Sequence, residues 1–457
     1  MRRKTMHFPN INRAPDVVSV TSEGVVIQLD HKVGAQWENA GILVKAEQRS
    51  GGLDISLRSP EKKIQYLELD WAVIVPESAK YLGDAFERGY GDLEWRFLEP
   101  TRSMPWYFLV NQEDVTHGFG VKTGVRGFCY WSVSADKIKL KVDVRNGGNG
   151  VQLGSRTLEV CTVVSREGKK GERPFSVARE FCKVMCPNPR LPKQPVYGFN
   201  DWYLSYGKNT AEEFLKHTAW IVSLSPKGGN RPFAVIDDGW QPSDAGPWDR
   251  VKPAFSKDMS MGQVASEIRK RGARPGLWCR PLIAHPDDPK HWRLSRDPRF
   301  LDPTVPDVRQ HVREMMARIQ GWGYELIKQD FSTWDVCGLW GFEMVNGFTK
   351  DGWGFADPSR TSAEVLLDFY KDVRAGAGDE TLIIGCNTIG HLSAGVFEIY
   401  RTGDDTSGKD WGRTRLIQAF CPTPLHQMVT LPHQNHGFCV CHPGNATNNL
   451  AGRFFPR

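Results

Sequence analysis

Three short polar segments follow apolar runs in this chain of 457 residues: Ile236-Asp237-Asp238-Gly239-Trp240, Leu326-Ile327-Lys328-Gln329-Asp330 and Tyr400-Arg401-Thr402-Gly403-Asp404-Asp405. Each reads as a buried strand that ends in carboxylates. A parallel α/β barrel projects its reactive side chains from the carboxyl ends of several strands. Acids at three strand ends therefore point to nucleophilic or acid–base chemistry at a barrel mouth. A single Asp after an apolar run is an ordinary turn or cap residue. Three of them, with helical patterns between, are harder to read that way.

The spacing refines the chemistry. Lys328 and Asp330 are two apart, so on a strand both side chains point to the same face. An ammonium beside a carboxylate favours the ionised form, which a nucleophile on a sugar's anomeric carbon must have; a structural salt bridge would share the spacing. Arg401 and Asp405 stand at another strand end. An Asp acting as general acid needs a raised pKa, supplied by apolar or acidic surroundings. Asp404 is a like-charge neighbour for it, or a turn residue. Asp237 and Asp238 form a pair able to hold vicinal sugar hydroxyls through charge-assisted hydrogen bonds. A metal pair is the alternative, but no His clusters with them and the other strands offer few ligands.

Two regions of different period must position these residues. From about 20 to 165, short spans such as Val25–Leu29, Ile42–Val44, Leu53–Leu57, Tyr66–Leu69 and Ile138–Val142 alternate or run apolar between turn signals, which predicts a sandwich. A helical pattern from Pro174 to Cys186 and a Pro-rich junction from Pro187 to Pro195 follow. Beyond Pro195, strands at Val196–Phe199, Phe233–Ile236, Gly276–Trp278, Tyr324–Ile327, Thr381–Ile384 and Phe397–Tyr400 alternate with helical stripes. One of those helices opens on the capping-box pattern Thr361-x-x-Glu364. The expected division is a β-sandwich domain over 1–173, a helical linker over 174–195 and a catalytic (β/α)8 barrel over 196–457.

Composition excludes several classes. With 40% apolar and 25% charged residues, the chain reads as a soluble globular protein. The net charge of +6 arises from 59 basic against 53 acidic residues with no basic run interleaved with aromatics, which argues against a nucleic-acid partner. Ten Cys lack zinc-site spacing and read as free thiols of a reducing compartment. No apolar stretch approaches the roughly 18 residues of a membrane span, and residues 1–24 carry no apolar leader core. A cytoplasmic location is expected. No phosphate-binding Gly-rich motif follows any strand, which disfavours nucleotide chemistry. The 16 Trp exceed what core packing asks for, and indole faces commonly stack sugar rings.

At this point the chain resembles the α-galactosidases of glycoside hydrolase family 36 and, more distantly, the melibiase group of the same clan. The resemblance rests on Gly83-Asp84-x3-Arg88-Gly89-Tyr90-Gly91-Asp92-Leu93-Glu94-Trp95, Asn200-Asp201-Trp202, Asp237-Asp238-Gly239-Trp240-Gln241, Gly276-Leu277-Trp278, Lys328-x-Asp330, Gly385-Cys386 and Arg401-x3-Asp405, in the family's order. It implies an N-terminal β-supersandwich before the barrel, and retaining hydrolysis of terminal α-galactosides with Asp330 as nucleophile and Asp405 as general acid/base. It also implies that Asp237 and Asp238 hold the 6- and 4-hydroxyls of galactose, with Lys328 and Arg401 on neighbouring hydroxyls. Cys386 would line the 2-hydroxyl side, Trp202 and Trp278 would wall the sugar, and Trp95 would reach in from the first domain. No cofactor or metal is implied, and a homo-oligomer stays open.

Two departures from the family pattern stand out. Asn387 occupies a position where many relatives carry Gly. The family usually continues into a C-terminal β domain, whereas this sequence ends at Arg457 and Cys439–Leu450 does not read as a barrel strand. A barrel incomplete at that end is expected, with exposed parallel edges. Two rival functions follow: a galactosyl transferase of the raffinose-synthase kind, and a carbohydrate-binding relic without turnover.

Overall fold

The computed structural model describes residues 10–87, 90–401 and 437–439. The first half is two antiparallel sheets. One has six strands in the order Val25–Gln28, Val17–Ser22, Ile64–Ala72, Lys137–Asp143, Phe128–Val133, Met104–Pro105. The other has eight, in the order His31–Val33, Gln36–Asn39, Ile42–Arg49, Gly52–Arg58, Thr157–Arg166, Val115–Val121, Tyr107–Gln112, Lys80–Gly83. Strict alternation decides which faces meet: Leu53, Ile55 and Leu57 are buried while Asp54 and Ser56 lie partly open. Trp71, Trp131 and Phe108 fill the space between, with ring centroids 6.1 and 5.7 Å apart.

Helix α1 (Pro174–Met185) buries Val177, Phe181 and Met185 at a spacing of four, a single stripe along one face. It packs on the Val115–Val121 strand, where a β-carbon at Gly118 would come within 2.6 Å of the Phe181 ring. The glycine admits the helix to the sheet.

After the junction, six parallel strands alternate with helices: β1 (Tyr197–Asn200), β2 (Phe233–Ile236), β3 (Arg274–Cys279), β4 (Leu326–Gln329), β5 (Leu382–Gly385) and β6 (Ile399–Tyr400). All four residues of β2 are buried, as expected where helices cover a parallel sheet. The capping box at Thr361 and Glu364 opens the helix Ser362–Ala377, and an equivalent box at Ser260 and Gln263 opens Met261–Lys270. Among the described residues the sheet is a curled half-barrel of six parallel strands, in keeping with the expectation of a barrel incomplete at its C-terminal end. Against the outer edge of β1, Gly437–Cys439 pairs antiparallel with Tyr197–Phe199, so this edge is covered by a strand of the opposite sense. Asp404, Asp405 and the stretch 440–450 lie outside the described residues.

The two halves are clamped together. Phe128 stacks on Phe348 with centroids 4.1 Å apart, and Trp106 stacks on His391 at 4.8 Å. Buried Arg145, two residues past the strand Lys137–Asp143, reaches Asp143 at 2.7 Å and Asp351 across the seam at 2.5 Å. The loop carrying Glu87 forms a bridge with Ile389, just beyond the end of β5. The sandwich thus reaches the end of the sheet where the acids stand.

Candidate active site

Asp330 is the first residue past β4, and its N–H donates to the Cys279 carbonyl at 3.0 Å, which prolongs the β3–β4 ladder by one step. The residue is only 5% exposed. Three N–H groups from three places hold it: Trp278 Nε1 on Oδ2 at 3.0 Å, Asn387 Nδ2 on Oδ1 at 2.6 Å and the backbone of Phe331 on Oδ1 at 2.8 Å. The Asn387 amide is aimed by its backbone, which sits in the left-handed region at φ 51. The Asn387 carbonyl accepts from the Thr333 N–H at 3.0 Å, the Thr333 hydroxyl at 2.8 Å and the Ser332 hydroxyl at 3.2 Å, which locks the turn. Phe331 is also left-handed at φ 62, an uncommon conformation for a bulky residue and one that is found at constrained functional sites.

Lys328 lies where the two-residue spacing put it, but with a different first partner. Its ammonium is 2.6 Å from Asp237 Oδ2 and 4.0 Å from Asp330 Oδ2. The nearer carboxylate comes from β2, two strands away, because adjacent parallel strands bring the ends of β2, β3 and β4 level. Burial alone would lower the Lys328 ammonium; Asp237 above all, then the Cys386 thiol and Asp330, outweigh it and raise it above the ordinary lysine value.

The acids at the ends of β1 and β2 form a second cluster. Asp237 accepts from Asn200 Nδ2 in addition to Lys328, and its Oδ1 takes the Asp238 N–H at 2.9 Å. Asp201, fully buried, accepts the Asp237 N–H at 2.7 Å and Asn209 Nδ2 at 3.1 Å. Burial pushes the Asp201 carboxyl up to about 7, opposed by that N–H and reinforced by the neighbouring Asp237 charge. Burial raises Asp238 too, although Gln241 Nε2 donates to it at 2.6 Å. Gly239 closes this turn at φ 114, where a β-carbon would sit 2.5 Å from the Gly207 carbonyl. A side chain there would have to displace the Gly207 backbone and the Asn209 amide, which donates to Asp201.

The remaining expected residues fall in different places. Arg401, just past β6, donates from Nη1 to Cys386 Sγ at 3.5 Å and from Nη2 to the Tyr203 hydroxyl at 3.2 Å. Cys386 is buried at the end of β5. Trp278 directs its indole N–H to the Asp330 carboxylate, a contact that the strand-end motif did not announce. Trp202 sits at the β1 end, with its ring 5.6 Å from that of Tyr206. Trp95 is half-buried against the core, and among the described residues no hydrogen bond or ring contact joins it to the acids. No group of three His, Cys, Asp or Glu able to hold a metal occurs among the described residues. Asn200 and Gln241 stand inside the quoted motifs and Asn387 is a noted departure, but the sequence assigned none of them a role, and Asn209 carried no signal at all. Side-chain amides beside clustered acids are the feature that could have flagged them.

No family model and no curated protein matches the sequence. Solved structures do. The α-galactosidase from Thermus thermophilus in complex with p-nitrophenyl α-D-galactopyranoside superposes with a TM-score of 0.55 at 15% identity, over 89% of this chain and 82% of that one. The α-galactosidase from Lactobacillus brevis gives 0.59 at 14%, over 90% and 65%. The family 36 α-galactosidase AgaB from Geobacillus stearothermophilus gives 0.55 at 13%, over 86% and 57%. The chain has the fold of these enzymes, a β-sandwich joined to a barrel-type parallel sheet.

Proposed function

We propose that the chain is a retaining glycosidase that removes terminal α-galactosyl residues from oligosaccharides. The observation that carries this reading is the Asp330 carboxylate, buried at a parallel strand end and fixed by three N–H donors beside an ammonium shared with Asp237. In the first step an Asp330 oxygen attacks the anomeric carbon as the glycosidic C–O bond breaks. Asp405, assigned from the sequence resemblance alone, delivers a proton to the leaving oxygen. It then takes a proton from water, whose oxygen displaces Asp330, and two inversions give net retention. Asp237 and Asp238 accept from the 6- and 4-hydroxyls, and Lys328 and Arg401 donate to neighbouring ones. Cys386, Trp202 and Trp278 line the sugar. Asp330 and Asp237 lie within 4.0 Å of one ammonium, close enough for both to act on a single pyranose ring.

The test is incubation with raffinose or p-nitrophenyl α-galactoside, with and without excess acceptor sugar, followed by proton NMR of the early product. Free galactose should appear first as the α-anomer. An initial β-anomer would exclude a covalent Asp330 intermediate. Galactosyl transfer without free galactose would make the chain a transferase, and binding without turnover would make it a lectin-like relic.

A further inference from the structure

The segment that follows Asp330 builds an aromatic surface next to the nucleophile candidate. Phe331, whose N–H holds the Asp330 carboxylate, lies under the Arg280 guanidinium at 4.3 Å. Arg280 is anchored in turn by the buried Asp335 at 2.6 Å, on the short helix Ser332–Cys337. Trp340 returns from beyond that helix and stacks on the Phe331 ring, centroids 6.1 Å apart and planes 26° apart. Trp334 flanks it at 5.9 Å. From the sandwich side, Glu87 accepts the Gly341 N–H at 2.6 Å, and Tyr90 meets Phe342 edge-on at 5.2 Å. The framework is pinned from both halves of the molecule, yet Trp340 remains 42% exposed and Phe342 47% exposed. Large aromatic faces left open beside a buried polar site mark a place where a ligand's apolar surface settles.

We propose that Trp340 and Phe342 form the platform on which the leaving portion of the substrate stacks, and that its preferred occupant is a second pyranose ring. This rests on the α-galactosidase reading and assigns two residues of this chain to the leaving-group side of that site. The hydroxyl grip from Asp237, Asp238 and Lys328 lies on the β2–β4 side of Asp330. The aromatic surface grows from the residue after Asp330 toward the end of β5. The two parts of one substrate would therefore straddle the bond to be broken. Binding energy from a ring that takes no part in the chemistry raises the rate where it persists in the transition state.

The experiment compares raffinose and melibiose with α-galactosyl fluoride, whose leaving group is one atom and cannot reach Trp340. In Trp340→Ala, kcat/KM on the two oligosaccharides should fall about tenfold, the size of one aromatic contact. The rate on the fluoride should stay within about twofold, which also reports that the fold is intact. Trp340→Phe should recover most of the oligosaccharide rate, and Phe342→Ala should show a smaller loss of the same pattern. An equal loss on fluoride and oligosaccharides would overturn the platform, because Trp340 would then merely support Phe331 and Asp330. Unchanged rates on all substrates would overturn it as well. If the unsubstituted chain consumes none of the three, the galactosidase reading itself fails and takes the platform with it.

Discussion

Around Asp330, hydrogen bonds reach the carboxylate from β3, from the turn after β5 and from its own successor, and all three are donated N–H groups. Around Asp201, Asp237 and Asp238 the acids lie against one another, and two backbone N–H groups link them in a chain, that of Asp237 to Asp201 and that of Asp238 to Asp237. The first arrangement fixes a single carboxylate in position and rotation. The second crowds acceptors together, so burial and mutual repulsion lift Asp201 and Asp238 above their ordinary range. Lys328 belongs to both and is closer to the crowded one. Buried carboxylates in one small region can thus be prepared for different tasks by the direction of their neighbours' dipoles, which is what the proposed glycosidase needs: Asp330 for attack on carbon, Asp237 and Asp238 for hydrogen bonds with hydroxyls.

The comparison breaks most sharply at Asp330. Asp330→Ala should lower kcat on the order of 10⁴-fold or more, the usual consequence of losing a covalent nucleophile. Azide should restore part of the rate on an aryl galactoside and give the β-galactosyl azide, which NMR would identify. If near-normal turnover persists, the attacking group lies elsewhere and the two clusters have been read the wrong way round.

A smaller effect is expected at Asn387. Because its φ is already in the region glycine favours, Asn387→Gly removes the amide without straining the turn. The carboxylate loses one of three donors, a hydrogen bond to a charged group worth about 1.5–3 kcal/mol when truncated. A fall in kcat of roughly ten- to a hundredfold with KM little changed is expected, and thermal unfolding should shift only slightly. A change confined to KM would assign Asn387 to the sugar and not to the nucleophile.

Much of this arrangement was legible in the sequence, and the reason is local. A buried parallel strand must be apolar and must stop where polar groups begin, so the acids after Ile236 and Ile327 announced the strand ends in one dimension. The box at Thr361 and Glu364 is legible for the same reason, since both partners lie within one helical turn. What stayed hidden depends on register across strands. Asp237 as the first partner of Lys328 follows from the alignment of β2, β3 and β4, which no spacing within a segment encodes. The aim of Asn387 depends on a left-handed turn held by Thr333 and Ser332, more than fifty positions earlier. The motif from Gly83 to Trp95 was visible as a pattern, but its use was not. Glu87, one of the unspecified positions inside that motif, pairs through its backbone with Ile389 beyond the end of β5, and its carboxylate accepts the Gly341 N–H.

The smallest effect sharpens the other half of the comparison, at Asp201. Burial pushes this carboxyl from its ordinary 3.8 up to about 7 in the folded chain. Between about pH 4 and about pH 7 the folded state therefore binds more protons at this site than the unfolded state does, and stability falls as pH rises through that window. The loss is complete once pH exceeds the folded value. Asp201→Asn removes the titration but also one of the two acceptors that serve the Asp237 N–H and Asn209. The variant should then melt below the parent near pH 4–5, and the difference in Tm should close, or change sign, as pH is raised to 8. The check is a pair of melting curves across that range at constant ionic strength. A Tm difference that stays flat or widens with pH would mean that the two donors outweigh burial and keep Asp201 ionised throughout. Asp201 would then resemble Asp330, an anion fixed by N–H groups, and the contrast between the clusters would narrow to Asp238.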